Sequence, residues 1–392
     1  MNILQVHNYY QLKGGEDAVL DNEKSMLESK GHTVKRYTVK NSGITSVVDK
    51  LNVLCLMRES KKHAAKLQSI LKIYRPDIVH IHNVYPLLTP AIFSSVKKLN
   101  IPVIQTLHNF RMICVNGLFY QKGKVCKKCL TGSRLSAITG KCYQNSHVAS
   151  IAMADSLSYH NRINTWNKDV DGYIVLTNFA KNILTKYGID KSKLFLKPNY
   201  LPDEGDGFIE QSSSTFKVPK KFAMFVGRLS EEKGIKWLVK SWKDIDYPLV
   251  VAGDGPLMNQ LKEEENKNVI FVGMLGKLQL RKLYKTSSML IMSSEWYEGF
   301  PMVILEAYMN AVPVLVPNIG GLPDIVQDSI SGYVYELNNA EQFRLKVKTI
   351  FDNNKLQATL AKNAKNIFMK NYTEDVNYKQ LMNIYKTIIN RV

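Results

Sequence analysis

The chain has 392 residues, 45% of them apolar, and a formal net charge of +19 from 53 Lys and Arg against 34 Asp and Glu. That length exceeds one ordinary core and suits two domains of roughly 150 to 200 residues, with the apolar fraction of a soluble globular chain. No stretch long enough to span a bilayer is free of polar groups, and the first residues show no basic run followed by an apolar one. We therefore expect no transmembrane helix, no secretion signal and a cytoplasmic location. The excess of cations calls for an anionic partner: nucleic acid, an anionic lipid surface or a phosphorylated substrate. The basic residues are spread along the chain without an RNA-binding aromatic motif or basic zipper, which argues against nucleic acid. The inner face of a cell membrane, with acceptors carried on a polyprenyl lipid, would attract such a protein peripherally.

Residues 2–7 read as a first strand, followed by a loop bearing Gly14 and Gly15 and then a helix that ends near Gly31. Strand, glycine loop and helix lets backbone N–H groups approach a phosphate, although a plain tight turn reads the same way. Pro76–Asn83 and Ile101–Asn109 are short apolar strands that deliver His82 and His108 to their carboxyl ends, where open α/β sheets place ligands. Cys114, Cys126, Cys129 and Cys142 then cluster in a lysine-rich loop, four of the chain's five cysteines. In a reduced compartment such a set points to structural zinc rather than disulfides. The lysines and aromatic residues around them suit a membrane- or acceptor-facing surface, or simply a solvated basic loop. Asp169 and Asp171 resemble a metal-binding Asp-x-Asp pair but precede the strand from Tyr173, the wrong end for a ligand, so they read as structural.

A Gly- and Ser-bearing run from Pro202 to Thr215 reads as the domain linker. A second α/β pattern starts with the strand Phe222–Gly227, continues through Arg228 and Lys233 to a helix from Ile235, and adds strands near 248–252 and 269–273. A cation at a helix N-terminus opposes the dipole, which makes sense if an anion fills the gap. Met289–Met292 is a further strand, Glu298 follows in a loop, and Pro301 opens an apolar helix containing Glu306. A glutamate on so apolar a helix should be buried, its partner either a ligand diol or an Arg or Lys within the fold. Beyond the strand near 312–316, the chain from Tyr372 to Val392 reads as helix.

Glu298-Gly-Phe-Pro-Met-Val-Ile-Leu-Glu306 resembles the two-glutamate signature of the retaining nucleotide-sugar glycosyltransferases of family 4. Gly227-Arg228 to Lys233-Gly234, the Gly14-Gly15 pair and Thr106-Leu107-His108 match the same family in order, and some of its members carry a comparable cysteine insertion. The resemblance implies α/β GT-B architecture, two Rossmann-like domains facing across a cleft. Residues 1–200 would form the acceptor domain with the cysteine insertion at 110–147, residues 201–371 the donor domain, and helix 372–392 would return to the first domain.

It implies Arg228 and Lys233 on the donor diphosphate, Glu298 on the donor sugar or anomeric centre, His108 against that sugar, and Glu306 on the ribose diol. Gly14, Gly15, Gly299, Phe300, Pro301, Met302 and Val303 would line the donor, with Val272 near the base. No metal is implied for catalysis. A UDP-sugar is the first expectation, with GDP- and dTDP-sugars as alternatives, and the acceptor is a polyprenyl-linked or free saccharide in capsule, exopolysaccharide or O-antigen assembly. Two rivals are a nucleotide-sugar epimerase of like architecture and a zinc-bearing, basic nucleic-acid-binding protein.

Overall fold

Short runs of β-branched and aliphatic residues alternate with helices to build two compact units in the computed structural model, which describes residues 1–11, 14–44, 46–202, 218–264 and 266–391. One unit gathers Met1–Gln121, Cys126–Asn199 and Asn377–Val392, the other Lys122–Val125 and Tyr200–Val376. Most of the expected linker falls on residues 203–217, outside the described residues, as do Leu12 and Lys13 of the glycine loop.

The first unit holds β1 (Asn2–Tyr9), β2 (Thr33–Lys40), β3 (Ile78–Ile81), β4 (Val103–Thr106), β5 (Gly172–Val175) and β6 (Leu194–Leu196). They pair in the order β2-β1-β3-β4-β5-β6, every neighbour parallel. β3, β4 and β5 are buried at each position, as strands covered on both faces must be, which is why they read as unbroken apolar runs. The polar residues among them need partners. His80 Nδ1 lies 2.7 Å from Tyr385 Oη and its Nε2 2.8 Å from Thr106 Oγ1.

Glu23, wholly buried on the helix Gly15–Ser29, sits at the middle of this polar core. Its carboxylate is 2.9 Å from His80 Nδ1, 3.2 Å from Gln5 Nε2 and 3.7 Å from Lys197 Nζ. Lys197 donates in turn to Asn377 Oδ1 at 3.0 Å, and Asn377 Nδ2 to the Pro198 carbonyl at 2.8 Å. The C-terminal helix, Glu374–Ile389, is thus tied to this unit by Asn377 and Tyr385. Asp171, at the amino end of β5, bonds Lys97 Nζ at 2.5 Å and the Val103 amide at 3.0 Å, a structural role.

The second unit holds β7 (Ala223–Val226), β8 (Leu249–Ala252), β9 (Val269–Gly273), β10 (Met289–Ile291), β11 (Val314–Pro317) and β12 (Gly332–Tyr335). Their order, β9-β8-β7-β10-β11-β12, all parallel, is the doubly wound dinucleotide-binding order. Trp242, Phe343 and Phe351 fill one side of it, with Trp237 stacked on Tyr335 at 5.6 Å between ring centroids.

In each sheet the strand order reverses once, between β1 and β3 and between β7 and β10. At the carboxyl ends of strands flanking such a reversal, open α/β sheets place their ligands. Residues 10–11, 14–16 and 82–85 take that position in the first unit, and residues 227–234 and 292–301 in the second. No helix among the described residues is long and apolar enough to cross a membrane.

Glu23→Ala strands Lys197 and His80 without their carboxylate, so we expect a loss of about 3–5 kcal/mol in chemical denaturation, in the range for breaking a buried pair. A change below about 1 kcal/mol would contradict this description of the first unit.

Candidate active site

In the second unit the loops after β7 and β10 are stitched together. Ser293 Oγ donates to the Lys233 carbonyl at 2.8 Å and the Glu295 amide to the Glu232 carbonyl at 2.9 Å. Gly234 makes the approach possible: its φ is +64°, and a Cβ there would fall 1.8 Å from the Ser293 carbonyl oxygen. The result is a contact that sequence separation hides. Lys233 Nζ lies 2.7 Å from Glu298 Oε1, and the same oxygen accepts from Ser294 Oγ at 2.6 Å and Trp296 Nε1 at 3.0 Å.

Glu298 is 6% exposed, and Lys233 also stands 5.3 Å from the centre of the Trp296 ring. A carboxylate with three donors on one oxygen is held in place, suited to holding hydroxyls or to facing positive charge. Arg228, at the end of β7, is exposed, and its side chain makes no hydrogen bond or ion pair among the described residues. Its charge is available to an anion.

The helix Met302–Met309 begins with Pro301 as its N-cap, one position earlier than expected, leaving the amides of Met302 and Val303 without intrahelical acceptors. Gly299 is half-buried in the loop ahead of it, and Phe300 packs edge-on against Tyr372 at 6.0 Å. Glu306 departs from expectation in being half-buried, not buried, and its Oε2 accepts from Tyr284 Oη at 2.8 Å. The burial and the nearby Glu306 push the Tyr284 hydroxyl well above its usual range. Val272 lies half-buried on β9, the outermost strand, two strands away from β7.

In the first unit Gly14 is the N-cap of the helix Gly15–Ser29 and its amide bonds Asp17 Oδ2 at 3.0 Å. Both glycines are exposed, and a Cβ on Gly14 would meet nothing within 4 Å, so no close contact of the fold demands this glycine. His108 is the end of a relay that sequence reading ranked no further than a single residue. Glu23 Oε1 lies 3.4 Å from His82 Nε2, and His82 Nδ1 lies 3.0 Å from His108 Nε2.

Burial would raise the Glu23 carboxyl, but His80 and His82 beside it hold it well below the usual carboxylate range. Burial pushes His82 down to about 3 and His108 well below its ordinary value, so both rings are neutral at pH 7. The Glu23 carboxylate, 3.4 Å from His82 Nε2 and short of hydrogen-bond geometry, favours by its charge the neutral His82 tautomer with the proton on Nε2; in that tautomer Nδ1 is a lone pair and His108 donates to it from Nε2. His108 Nδ1 is left as a hydrogen-bond acceptor.

Two family descriptions match the chain, one on each half: "Glycosyltransferase Family 4" over residues 14–203 and "Glycosyl transferases group 1" over residues 208–367. The chain is a glycosyltransferase of GT-B fold. It is 24% identical to an uncharacterized glycosyltransferase of Methanocaldococcus jannaschii over 82% of its own length and 78% of the relative's. It is 28% identical to the UDP-Gal:alpha-D-GlcNAc-diphosphoundecaprenol alpha-1,3-galactosyltransferase of Escherichia coli, over 49% of this chain and 54% of that one. The solved structure of Anabaena HepE in complex with UDP shares the fold with a TM-score of 0.66 at 16% identity, covering 99% of this chain and all of that one.

The four cysteines named for a zinc centre are neighbours in the fold: the Cys114 and Cys129 thiols hydrogen-bond each other, and Cys142 stands near both Cys129 and Cys126. Tetrahedral thiolate ligation with Zn–S near 2.3 Å would bring the sulfurs within about 4 Å of one another. No three of them lie within 4.8 Å, Cys114 donates to Asn116 Oδ1 at 3.0 Å, and Cys126 donates to Gln121 Oε1 at 3.6 Å. Burial raises the Cys142 thiol to about 11, while the hydrogen bond from Cys114 lowers that of Cys129 to about 6. All five cysteines are free.

The His82 ring refuses a proton that an unfolded histidine accepts near pH 6.5, so its contribution to stability is lost as pH falls from about 6.5 toward about 3. The slope should approach about 1.4 kcal/mol per pH unit. In urea titrations His82→Asn, which can still accept from His108 and donate to Glu23, should flatten that slope between pH 7 and 4.5. In ¹⁵N spectra His108 should show the Nε2–H tautomer in the native protein and in His82→Asn, and mixed tautomers in His82→Leu. A native Nδ1–H tautomer would refute the relay.

Proposed function

We propose that this glycosyltransferase moves a sugar from a nucleoside-diphosphate sugar to a lipid-linked saccharide, retains the anomeric configuration and needs no divalent metal for the chemical step. The observation that carries the reading is the pair of cations, Arg228 and Lys233, in the loop leaving β7 at the reversal of a dinucleotide-order sheet, with Glu298 held against Lys233. Departure of a nucleoside diphosphate develops negative charge, and preorganised cations and helix-end amides stabilise such charge best where water is excluded. The amides of Met302 and Val303 add to them.

In this reading the bond from the anomeric carbon to the β-phosphate oxygen breaks, the acceptor oxygen forms its bond on the same face, and its proton passes to the departing phosphate oxygen. Glu298 opposes the positive charge on the anomeric carbon, and Glu306 holds the ribose hydroxyls. We assign His108, through its Nδ1, to a hydroxyl of the donor sugar, and Gly14 and Gly15 to the donor phosphates. Phe300, Pro301 and Val272 are assigned to the walls of the donor site. The UDP bound by the Anabaena protein and the UDP-galactose and diphospholipid in the name of the E. coli relative support a UDP-sugar donor, a lipid-linked acceptor and a place in surface polysaccharide assembly. The charge of +19 suits peripheral contact with an anionic membrane from the cytoplasmic side.

Arg228→Ala and Lys233→Ala should each lower kcat/KM by about 100-fold or more with the fold intact by circular dichroism. Undiminished turnover in both variants would end the reading. In chelator-treated protein, UDP at a hundred times its dissociation constant should add about 2.7 kcal/mol to stability, more than GDP, dTDP or ADP at the same concentration. A protein that ignores all four would equally end it.

A further inference from the structure

The first unit carries a groove of about 920 Å³ whose two ends differ in chemistry. Its outer rim is apolar and in water: Leu51 is 52% exposed and Val148 58%. Leu54 and Met57 continue the apolar wall inward. The inner end is cationic. Arg111 lies there between two aromatic rings, 5.9 Å from the centre of Tyr10 and 5.3 Å from that of Tyr143. Its Nη2 donates to the Asn116 carbonyl at 3.2 Å, its Nε is shut off from water without a partner, and no carboxylate stands within ion-pair distance among the described residues.

The nearest acid in charge terms, Glu16, has its carboxyl pushed up to about 8 by burial and by Asp17, so it is protonated at pH 7 and leaves the guanidinium uncompensated. Lys50, on the rim helix, adds a second cation to the lining. Arg111 also borders the small cavity of about 30 Å³ next to His108, so the groove leads from an exposed apolar rim past a cation toward that histidine.

We propose that this groove binds the acceptor as an amphiphile, the hydrocarbon chain of a polyprenyl diphosphate along Leu51, Leu54 and Val148 and its diphosphate at Arg111 and Lys50. The order of apolar rim, cation and histidine is the order of tail, diphosphate and saccharide in such a molecule. A guanidinium fixed between aromatic rings with unfilled hydrogen-bonding capacity suits a diphosphate, which accepts from a planar fork. Exposed aliphatic side chains gain by covering a hydrocarbon tail. This proposal rests on the glycosyl-transfer reading and names the place and chemistry of its acceptor.

The test measures binding of farnesyl diphosphate, farnesol and inorganic pyrophosphate by calorimetry to the full chain, with UDP as the reference ligand for each variant. Farnesyl diphosphate should bind at least tenfold more tightly than either farnesol or pyrophosphate. Leu51→Asp with Val148→Asp, both at exposed positions, should weaken it at least tenfold relative to UDP, and Arg111→Gln should do the same. Affinity within twofold of the native protein in the double variant overturns the proposal. So does a double variant that keeps farnesyl diphosphate but no longer sediments with vesicles of equal phosphatidylglycerol and phosphatidylcholine, because the rim then faces a membrane rather than a tail. Native protein that binds farnesyl diphosphate but not UDP leaves the groove standing and removes the glycosyl-transfer reading instead.

Discussion

Glu298 and Lys233 meet at 2.7 Å although 65 positions separate them, and the candidate donor site depends on that meeting. A carboxylate this deeply placed is costly unless donors and a cation reach it, and here three donors share one oxygen. The contact requires two loops to touch backbone to backbone, which only a glycine at Gly234 allows. Those loops are side by side because β7 and β10 are neighbours at the point where the sheet reverses its order. Strand order, a glycine and an ion pair form one chain of causes. With Lys233 committed to Glu298, the exposed Arg228 is the more available of the two cations to a diphosphate.

The first unit has its own buried carboxylate with a different use. Glu23 collects Gln5 from β1, His80 and His82 from the β3 segment and Lys197 near the end of β6, and Lys197 passes on to the C-terminal helix through Asn377. Such a network contributes little net stability against an apolar core of the same shape, but it makes loss of any one member expensive. What it provides is definition: a carboxylate at one end favours one nitrogen of His82 for the proton, and hence one face of His108. The histidine that the family motif marks is therefore set by residues outside any motif.

Interior strands were legible, and of the four edge strands only β9 was. β3, β4, β5, β7, β8 and β10 are covered on both faces and announce themselves as short apolar runs. β2, β6 and β12 lie at sheet edges or are interrupted by polar residues, and local pattern carries too little signal there. In the cysteine cluster, spacing alone did not show that Cys114 meets Cys129 or that Asn116 and Gln121 accept from the Cys114 and Cys126 thiols. Glu306 was read as buried from the apolarity of its helix, yet it lies half-buried with Tyr284, which sits 22 positions upstream.

The sequence by itself determined the two-fold α/β plan, the loops that carry the charged residues and the excess of cations, because each of these is written in neighbouring residues as periodicity, glycines and charge. Only the tertiary structure decided which groups face one another: Lys233 with Glu298, Glu306 with Tyr284, Glu23 through His82 to His108, and the groove that ends at Arg111. The reason is physical. Hydrogen bonds and ion pairs act over about 3 Å, and strand order and packing, not distance along the chain, bring such groups that close.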